Sequence, residues 1–230
     1  MMILEFVDLL KKENIELTEE MLQKLEMYFE ELVEVNKVMN LTAITEKNEV
    51  YIKHFYDSLC IVKAHNFTNE TLLDVGSGAG FPGIPLKIVF PNIKLTIVDS
   101  LQKRIKFLES LTKKLDLKNV TLIHSRIEDY KEKNSFDIVT ARAVSRLNIL
   151  TEFCLPFVKV NGKFVALKGS QISEELEEGK SAINTLGGKL EKVIEYNIPG
   201  GERNLVVVKK VKNTSKDYPR PFAKIKTKPL

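Results

Sequence analysis

The chain has 230 residues, of which 43% are hydrophobic and 29% charged, enough apolar content for one large folded domain and too much for a disordered tail. No apolar run approaches the roughly 18 residues of a membrane-spanning helix, and the first residues lack signal-peptide features, so we expect a cytoplasmic protein with no membrane partner. Two distant cysteines, Cys60 and Cys154, match no metal or disulfide spacing, and no metal is expected.

Charge is distributed unevenly along the chain. The formal net charge is +4, but residues 203–230 carry nine Lys or Arg and one acid, which gives this end +8 and residues 1–202 a charge of −4. Clustered basic residues release counterions from phosphates, so the basic end indicates a polyanionic partner. A tail that is simply solvated by its lysines explains the charge equally well.

The first third of the chain has helical periodicity. Apolar residues spaced three and four apart predict helices over residues 3–12, 21–36 and about 47–64, and Thr18 is a suitable N-cap for the second. We expect residues 1–68 to form an N-terminal helical cap whose apolar stripes serve core packing.

From residue 71, short apolar runs alternate with helix-length segments, which is typical of a parallel α/β sheet. The predicted strands are residues 72–75, 95–98, 120–123, 136–141, 163–167, 190–196 and 204–209, and the predicted helices are 84–90, 102–115, 145–157 and 173–186. The short connection between the last two strands excludes a parallel crossover. The expected fold is therefore α/β, with a seven-stranded, mostly parallel sheet over residues 69–212 and an antiparallel last strand. Residues 213–230 contain three prolines and are predicted to be an irregular tail.

A glycine-rich loop follows the first predicted strand, in the stretch Asp74-Val75-Gly76-Ser77-Gly78-Ala79-Gly80-Phe81-Pro82-Gly83. A strand, a glycine loop and a helix N-terminus together favour an anionic or dipolar ligand. Asp99 ends the second strand, where a carboxylate can accept hydrogen bonds from ribose hydroxyls. Ile127 and Glu128 follow the third strand and could contact a purine. The sequence therefore predicts a nucleoside-containing cofactor.

Two cofactors fit this pattern, a nicotinamide dinucleotide and S-adenosylmethionine. The dinucleotide fingerprint is G-x-G-x-x-G, whereas the chain has G-x-G-x-G, and no residues remain for a second substrate domain. We therefore favour S-adenosylmethionine. A glycine loop with a purely structural role is the alternative.

Residues after the later strands limit the acceptor. Thr140-Ala141-Arg142-Ala143 is not the Asn/Asp-Pro-Pro-Tyr motif of base amino-group methylation, and Cys154 is not preceded by proline as a pyrimidine nucleophile would be. Three of the six arginines, Arg126, Arg142 and Arg146, follow the third and fourth strands, and Lys168 ends the fifth. Open parallel sheets bind ligands at these strand ends, so the cluster indicates phosphate or base contacts. Salt bridges to surface carboxylates are the alternative for each arginine taken singly.

The chain resembles the glucose-inhibited division protein B family of bacterial 16S ribosomal RNA guanine-N7 methyltransferases over roughly residues 20–211. The similar stretches are Asn40–Ile44, His54–Leu59, Asp74–Pro85, Asp99–Arg104, Ala141–Ala143, Leu167–Gly169 and Arg203–Val207. The resemblance implies a class I, Rossmann-like methyltransferase that uses S-adenosylmethionine and has 16S rRNA or the small ribosomal subunit as its partner. After Arg220 the family continues with Lys-Pro-Gly-Thr-Pro, whereas this chain has Pro221-Phe222-Ala223-Lys224.

Guanine N7 carries a free lone pair, so in-line attack on the methyl group requires no general base. Arg142 and Lys168 are accordingly expected to position the substrate. His54 and Asp57, one helical turn apart, either pair and close the helical cap over the cofactor or form a hydrogen-bonded hinge without ligand contact. We expect a monomer. The expected cofactor contacts are Gly76, Ser77, Gly78, Gly80, Phe81, Asp99, Ser100, Ile127, Glu128 and Arg142, and the expected RNA contacts are Arg126, Arg146, Lys168 and Arg203.

Three other functions remain open at this point. A methyltransferase could act on a small molecule or a protein, and this would predict an enclosed pocket without salt-sensitive RNA affinity. A non-catalytic cofactor- or RNA-binding module is disfavoured by the glycine loop and Asp99. A nicotinamide-dependent oxidoreductase is the most distant of the three.

Overall fold

Seven strands form one mixed sheet at the centre of the computed structural model, which describes residues 2–230; Met1 of the predicted cap lies outside the described residues. The sheet order is β3-β2-β1-β4-β5-β7-β6. The strands are β1 (Thr71–Val75), β2 (Lys94–Asp99), β3 (Val120–His124), β4 (Phe136–Arg142), β5 (Val158–Lys168), β6 (Gly188–Ile198) and β7 (Gly201–Lys210). All seven predicted strands are present, most of them longer by a few residues.

The strand directions follow from the lengths of the connections. β1 to β5 pair in parallel, joined by crossover segments, whereas β7 pairs antiparallel with both β5 and β6. Ile198 is the register partner of Gly201, so Pro199 and Gly200 form a two-residue turn, in which Gly200 has φ +101°. Such a turn can join only antiparallel strands, which confirms the predicted last strand.

The N-terminal helices lie where the periodicity placed them. They are α1 (Met2–Lys12), α2 (Glu19–Met39), α3 (Lys47–Val50) and α4 (Asp57–Leu59). The Thr18 hydroxyl accepts a hydrogen bond from the Met21 amide at 3.2 Å, as an N-cap does. The predicted single helix over 47–64 is wrong in one respect, because a π-helix, Tyr51–Tyr56, separates α3 from α4 and a 3₁₀ turn, Cys60–Lys63, follows. Such widened turns are frequent at functional sites.

Alternate strand residues point to opposite sides of the sheet, so each face has apolar side chains to bury. Helices cover both faces. The remaining helices are α5 (Gly83–Val89), α6 (Gln102–Lys114), α7 (Leu147–Cys154), α8 (Ser173–Thr185) and α9 (Phe222–Thr227). One hydrophobic cluster joins the N-terminal helices, α5 and α6 to residues such as Leu72 and Ile97. The other joins α7, α8 and α9 to residues such as Leu73 and Val98. Within residues 2–230, no helix is long and apolar enough to cross a membrane.

The C-terminal segment contradicts the prediction of an irregular tail. Residues 222–227 form α9, and its Ile225 is fully buried. Arg220 donates from its backbone amide and from its side-chain Nε to Glu152 Oε1, at 2.9 and 2.8 Å, and from a terminal nitrogen to Oε2 at 2.6 Å. Glu152 lies on α7 and has no exposed surface. The C-terminal segment is therefore held by a carboxylate that is distant in sequence, which a local sequence pattern does not reveal. The predicted division at residues 68 and 212 stays a prediction.

Replacing Arg220 by methionine leaves the buried Glu152 carboxylate without its partner. We expect Arg220→Met to lower the free energy of unfolding by about 3–5 kcal/mol, the usual cost of breaking a buried ion pair on one side. Urea denaturation monitored by circular dichroism measures this change. Lys224→Met, at an exposed position of α9, is the matched control and should stay within about 0.5 kcal/mol of wild type. A loss below about 1 kcal/mol for Arg220→Met would contradict the anchoring role of this ion pair.

Candidate functional site

The glycine loop begins at the carboxyl end of β1. Gly76 and Gly78 have φ values of +69° and +64°, a region that favours glycine. Asp74 Oδ2 accepts hydrogen bonds from the Ser77 hydroxyl at 2.7 Å and from the Gly83 amide at 2.8 Å, which closes the loop against the start of α5. Burial raises the pKa of Asp74 to about 6. The Ser77 hydroxyl is therefore committed to the loop itself.

Gly80 is packed closely by side chains of α2 and α5, and its predicted cofactor contact stays a prediction. A Cβ at this position would lie 2.7 Å from the Tyr28 hydroxyl and 2.8 Å from Ile84, and its φ is +108°. The Tyr28 hydroxyl donates to the carbonyl of Ala79 at 2.6 Å, and the Tyr28 ring stacks on Phe81 with centroids 5.4 Å apart. Tyr28 of α2 therefore packs against the glycine loop, and the missing side chain of Gly80 leaves the space for that contact.

Asp99 ends β2 beside the glycine loop and is 2% exposed. Its Oδ2 accepts from the Gly78 amide at 3.1 Å and from Arg104 at 3.3 Å, and its Oδ1 accepts from the Leu101 amide at 2.9 Å. A carboxylate offers about four acceptor positions, so one remains. Asp99 thus both fixes the loop and keeps capacity for a ligand hydroxyl.

Three adjoining cavities lie along this edge of the sheet. The central cavity, about 420 Å³, is lined by Leu41, Thr42, His54, residues 76–79, Phe81, Asp99, Ser100, Arg104 and residues 142–144. The side cavity, about 120 Å³, is lined by Val75, Gly76, Val98, Ser100, residues 125–128, Val144, Phe153 and Phe222. The outer cavity, about 410 Å³, is lined by Ile44, Lys53, His54, Asp57, Arg142, Ala143, residues 167–169, Glu175 and Arg203. The central cavity shares wall residues with each of the other two and so lies between them.

Arg142, at the end of β4, stands in the wall between the central and outer cavities. One terminal nitrogen donates to the carbonyl of Lys53 and to Asp57 Oδ2, both at 3.2 Å. The other donates to His54 Nδ1 at 3.2 Å. The guanidinium carbon lies 4.8 Å from the centroid of the Phe81 ring, a cation–π distance. Four residues therefore fix this one side chain.

The protonation of His54 follows from these contacts. Nδ1 lies 3.2 Å from an Arg142 terminal nitrogen, which can only donate, and 3.1 Å from the Lys53 carbonyl, which can only accept, while Nε2 lies 2.8 Å from the Thr42 hydroxyl. Burial and the neighbouring Arg142 charge lower the pKa of His54 from 6.5 to about 4. Neutral His54 then holds the loop after α2 over the central cavity. The predicted His54–Asp57 pair is wrong, because both side chains contact Arg142 instead.

Two other predicted basic residues line the outer cavity. Lys168 Nζ lies 2.5 Å from Glu175 and donates to the carbonyl of Ser145 at 2.9 Å. Arg203 Nε lies 3.7 Å from Asp57, whose other contacts include the Tyr196 hydroxyl at 2.8 Å. Both positive groups are therefore in place at the wall, and each is partly neutralised by an acid.

Arg126 and Arg146 lie in different surroundings, although both are predicted to contact RNA. Arg126 lines the side cavity, with its guanidinium 4.8 Å from the centroid of the Phe222 ring. Arg146 lines none of the three cavities and pairs on the surface with Glu174 and Glu178 of α8. The salt-bridge alternative thus describes Arg146, and its RNA contact stays a prediction.

Comparison with known proteins identifies the relationship. The family described as rRNA small subunit methyltransferase G (GidB) matches residues 21–206. The chain belongs to this family. It is 53% identical to the ribosomal RNA small subunit methyltransferase G of Lactobacillus helveticus, covering 98% of both chains. It is 51% identical to the Bacillus subtilis protein of the same name, covering 94% of this chain and 93% of that one. The resemblance seen in the sequence is confirmed.

Solved structures confirm the class I methyltransferase fold. Geranyl diphosphate methyltransferase in complex with SAM has a TM-score of 0.56 at 15% identity, covering 68% of this chain and 85% of that one. The TYW2 protein of M. jannaschii in complex with AdoMet has a TM-score of 0.54 at 20% identity, covering 66% of this chain and 74% of that one. At these identities the likeness concerns the fold alone.

The central and side cavities are lined by some residues that sequence reasoning missed. Leu41 and Thr42 line the central cavity, and their loop is tied to α2 because the Asn36 side chain exchanges hydrogen bonds with the Thr42 backbone at 2.8 and 2.9 Å. Both lie in the Asn40–Ile44 stretch that carries the resemblance, so the resemblance could have indicated them as site residues. Val144 separates the central and side cavities, and no local pattern indicates it. In the described part of the chain, no group of three or more His, Cys, Asp or Glu residues could hold a metal ion.

The low pKa of His54 predicts a pH-dependent contribution to stability. In the unfolded chain the imidazole gains a proton below about pH 6.5, whereas in the folded state it resists protonation down to about pH 4. The stability that neutral His54 contributes is therefore complete above about pH 7 and falls by about 2 kcal/mol at about pH 5.

The measurement is the free energy of unfolding of wild type and His54→Gln across this pH range. Asp74 titrates in the same range with the opposite sign, but it does so in both proteins and cancels in their difference. His124→Gln, at an exposed histidine, is the control and should keep the wild-type slope. Parallel pH profiles for wild type and His54→Gln would contradict the assignment.

Proposed function

We propose that the chain transfers the methyl group of S-adenosylmethionine to N7 of a guanine in 16S ribosomal RNA. Its relatives are named for methyltransfer to small-subunit ribosomal RNA, and a fold neighbour is described in complex with SAM. The observation that carries the proposal is the place of Arg142, which belongs to the walls of both the central and the outer cavity. A group fixed between two cavities can align a donor in one with an acceptor in the other.

The central and side cavities fit an S-adenosyl group. Gly76 and Gly78 let the backbone approach a ligand closely, and a Cβ on Gly76 would press to within 3.0 Å of Val144. Asp99 keeps one acceptor position for a ribose hydroxyl. Glu128 lines the side cavity, and its Oε1 is buried without a hydrogen-bond partner. An adenine amino group is a donor of the kind that this oxygen lacks.

When bound, S-adenosylmethionine supplies an electrophilic sulfonium methyl group. The acceptor lone pair of guanine N7 carries no proton, so the protein needs no base near it. Arg142 suits such a site because a guanidinium stays charged and can only donate. Three of its five N–H donors bind Lys53, Asp57 and His54, which leaves two for a guanine O6 or a phosphate.

The outer cavity has the charge that RNA requires. Lys168 and Arg203 line it beside Arg142, and we propose that they contact phosphates there. Arg126 and Arg146, with side chains 55% and 49% exposed, would extend the basic surface beyond the cavities. Such contacts make binding salt-dependent, since each neutralised phosphate releases counterions.

The direct test offers S-adenosylmethionine with a labelled methyl group to small ribosomal subunits from a strain that lacks the enzyme, and separately to the extracted 16S rRNA. Label in a single nucleotide, identified as N7-methylguanine after digestion, is the expected result. Subunits from a strain that has the enzyme are the control, because their site is already methylated. Cofactor binding without label in either substrate would redirect the proposal to a small-molecule or protein acceptor.

Arg142→Lys separates positioning by the guanidinium from its charge. Lysine keeps the charge but cannot reach Asp57, His54 and the Phe81 face in one geometry, so we expect kcat/KM for the RNA to fall about 100-fold. Single-turnover methyl transfer at saturating cofactor measures the change. Lys118→Ala, next to the opposite end of β3, is the control and should keep wild-type activity. Activity within about threefold of wild type in Arg142→Lys would refute this role.

A further inference from the structure

We propose that the C-terminal segment completes the cofactor site, with the Phe222 ring as the wall that contacts the adenine base. This inference rests on the proposed function, since it assumes an adenosyl cofactor. It adds a binding residue from a segment in which no sequence pattern indicates a ligand.

The side cavity has the chemistry of a site for a planar base. Its volume of about 120 Å³ is several times the roughly 10–15 Å³ that one water molecule needs. Val75, Val98 and Ile127 supply apolar walls, and Glu128 Oε1, which has no hydrogen-bond partner and lies 3.8 Å from an Arg126 terminal nitrogen, supplies a polar edge. Purine bases are apolar on their faces and polar at their edges, so the two patterns match.

Phe222 is held at the wall of this cavity by its neighbours. Its ring lies nearly parallel to that of Phe153, with an interplanar angle of 6° and centroids 6.2 Å apart. The Arg126 guanidinium carbon lies 4.8 Å from the centroid of the same ring. Phe222 is nevertheless 39% exposed. A base entering the side cavity would cover apolar surface on this wall.

The anchoring of the segment makes this wall part of the fold. Two residues before Phe222, Arg220 makes three hydrogen bonds to the buried Glu152. Lys133 Nζ donates to the carbonyl of Tyr218 at 2.6 Å, and Ile225 is fully buried on the other side. The backbone is therefore anchored on both the N-terminal and the C-terminal side of Phe222. Because this wall is already formed, little ordering entropy is lost when a ligand binds.

The absence of tryptophan from the chain provides a specific probe. Phe222→Trp places a single indole at this wall, where stacking with adenine quenches its fluorescence. S-adenosylhomocysteine and 5′-methylthioadenosine, which both carry adenine, should quench it saturably, whereas methionine should not. Val211→Trp, at an exposed position directly after β7, is the control and should not respond. No quenching of the Phe222→Trp signal at saturating S-adenosylhomocysteine would overturn the inference.

Calorimetry on the protein without RNA supplies the second measurement. Phe222→Ala should weaken S-adenosylhomocysteine about 5- to 10-fold, the range for loss of one base–aromatic contact, and Phe222→Tyr should restore wild-type affinity. At saturating cofactor, kcat should stay near wild type, since the contact holds the cofactor equally before and during methyl transfer. Affinity within about twofold of wild type in Phe222→Ala would also overturn the inference.

The two proposals fail differently. Wild-type protein that binds S-adenosylhomocysteine and methylates RNA, with a silent Phe222→Trp probe, would remove only the role of Phe222. Wild-type protein that binds no adenosine compound would remove both. A folded Phe222→Trp protein, verified by its thermal unfolding, keeps the test valid even where Phe222→Ala disturbs α9.

Discussion

The contact between Arg142 and Asp57 is the interaction on which the site depends. Arg142 ends a central strand of the sheet, Asp57 begins α4 of the N-terminal helices, and their 3.2 Å hydrogen bond joins these two layers at the carboxyl edge of the parallel strands. Both side chains are largely withdrawn from water, with 15% and 5% exposure. Burial makes each charge dependent on the other, because an unpaired ion here would lose its hydration without compensation.

Other features of the site are arranged around that pair. The Phe81 ring covers the guanidinium and in turn stacks on Tyr28, which braces the glycine loop. His54, whose pKa is lowered by burial and by the adjacent positive charge, connects the guanidinium to Thr42. The loop after α2, which lines the central cavity, is thereby linked to Arg142, which lines both the central and the outer cavity. One buried ion pair thus sets the relative position of the central and outer cavities.

Sequence reasoning succeeded where the information is local. The seven strands, the Thr18 cap, the glycine loop and Asp99 all follow from patterns within a few residues, and the structure places them as expected. The partners of Arg142 lie 85 to 89 residues away, and Glu152 lies 68 residues from Arg220. No spacing rule connects such pairs, because they meet only after the sheet has formed. The error about the tail has the same origin, since α9 is ordered by a carboxylate on a distant helix. The departure from the family string after Arg220 falls on the residues beside the side cavity.

The position of β7 also bears on how the molecule is made. β7 lies between β5 and β6 in the sheet although it follows both in the chain, so β6 can join the sheet only through β7. On the ribosome, β5 presents an open edge and β6 has no partner in the sheet until residues 201–210 have emerged. Arg203 is carried by this same strand, so the wall of the outer cavity forms in the step that closes the sheet. The wall of the outer cavity is therefore complete only when the sheet is complete, and a chain released before residue 201 would leave the edges of β5 and β6 unpaired.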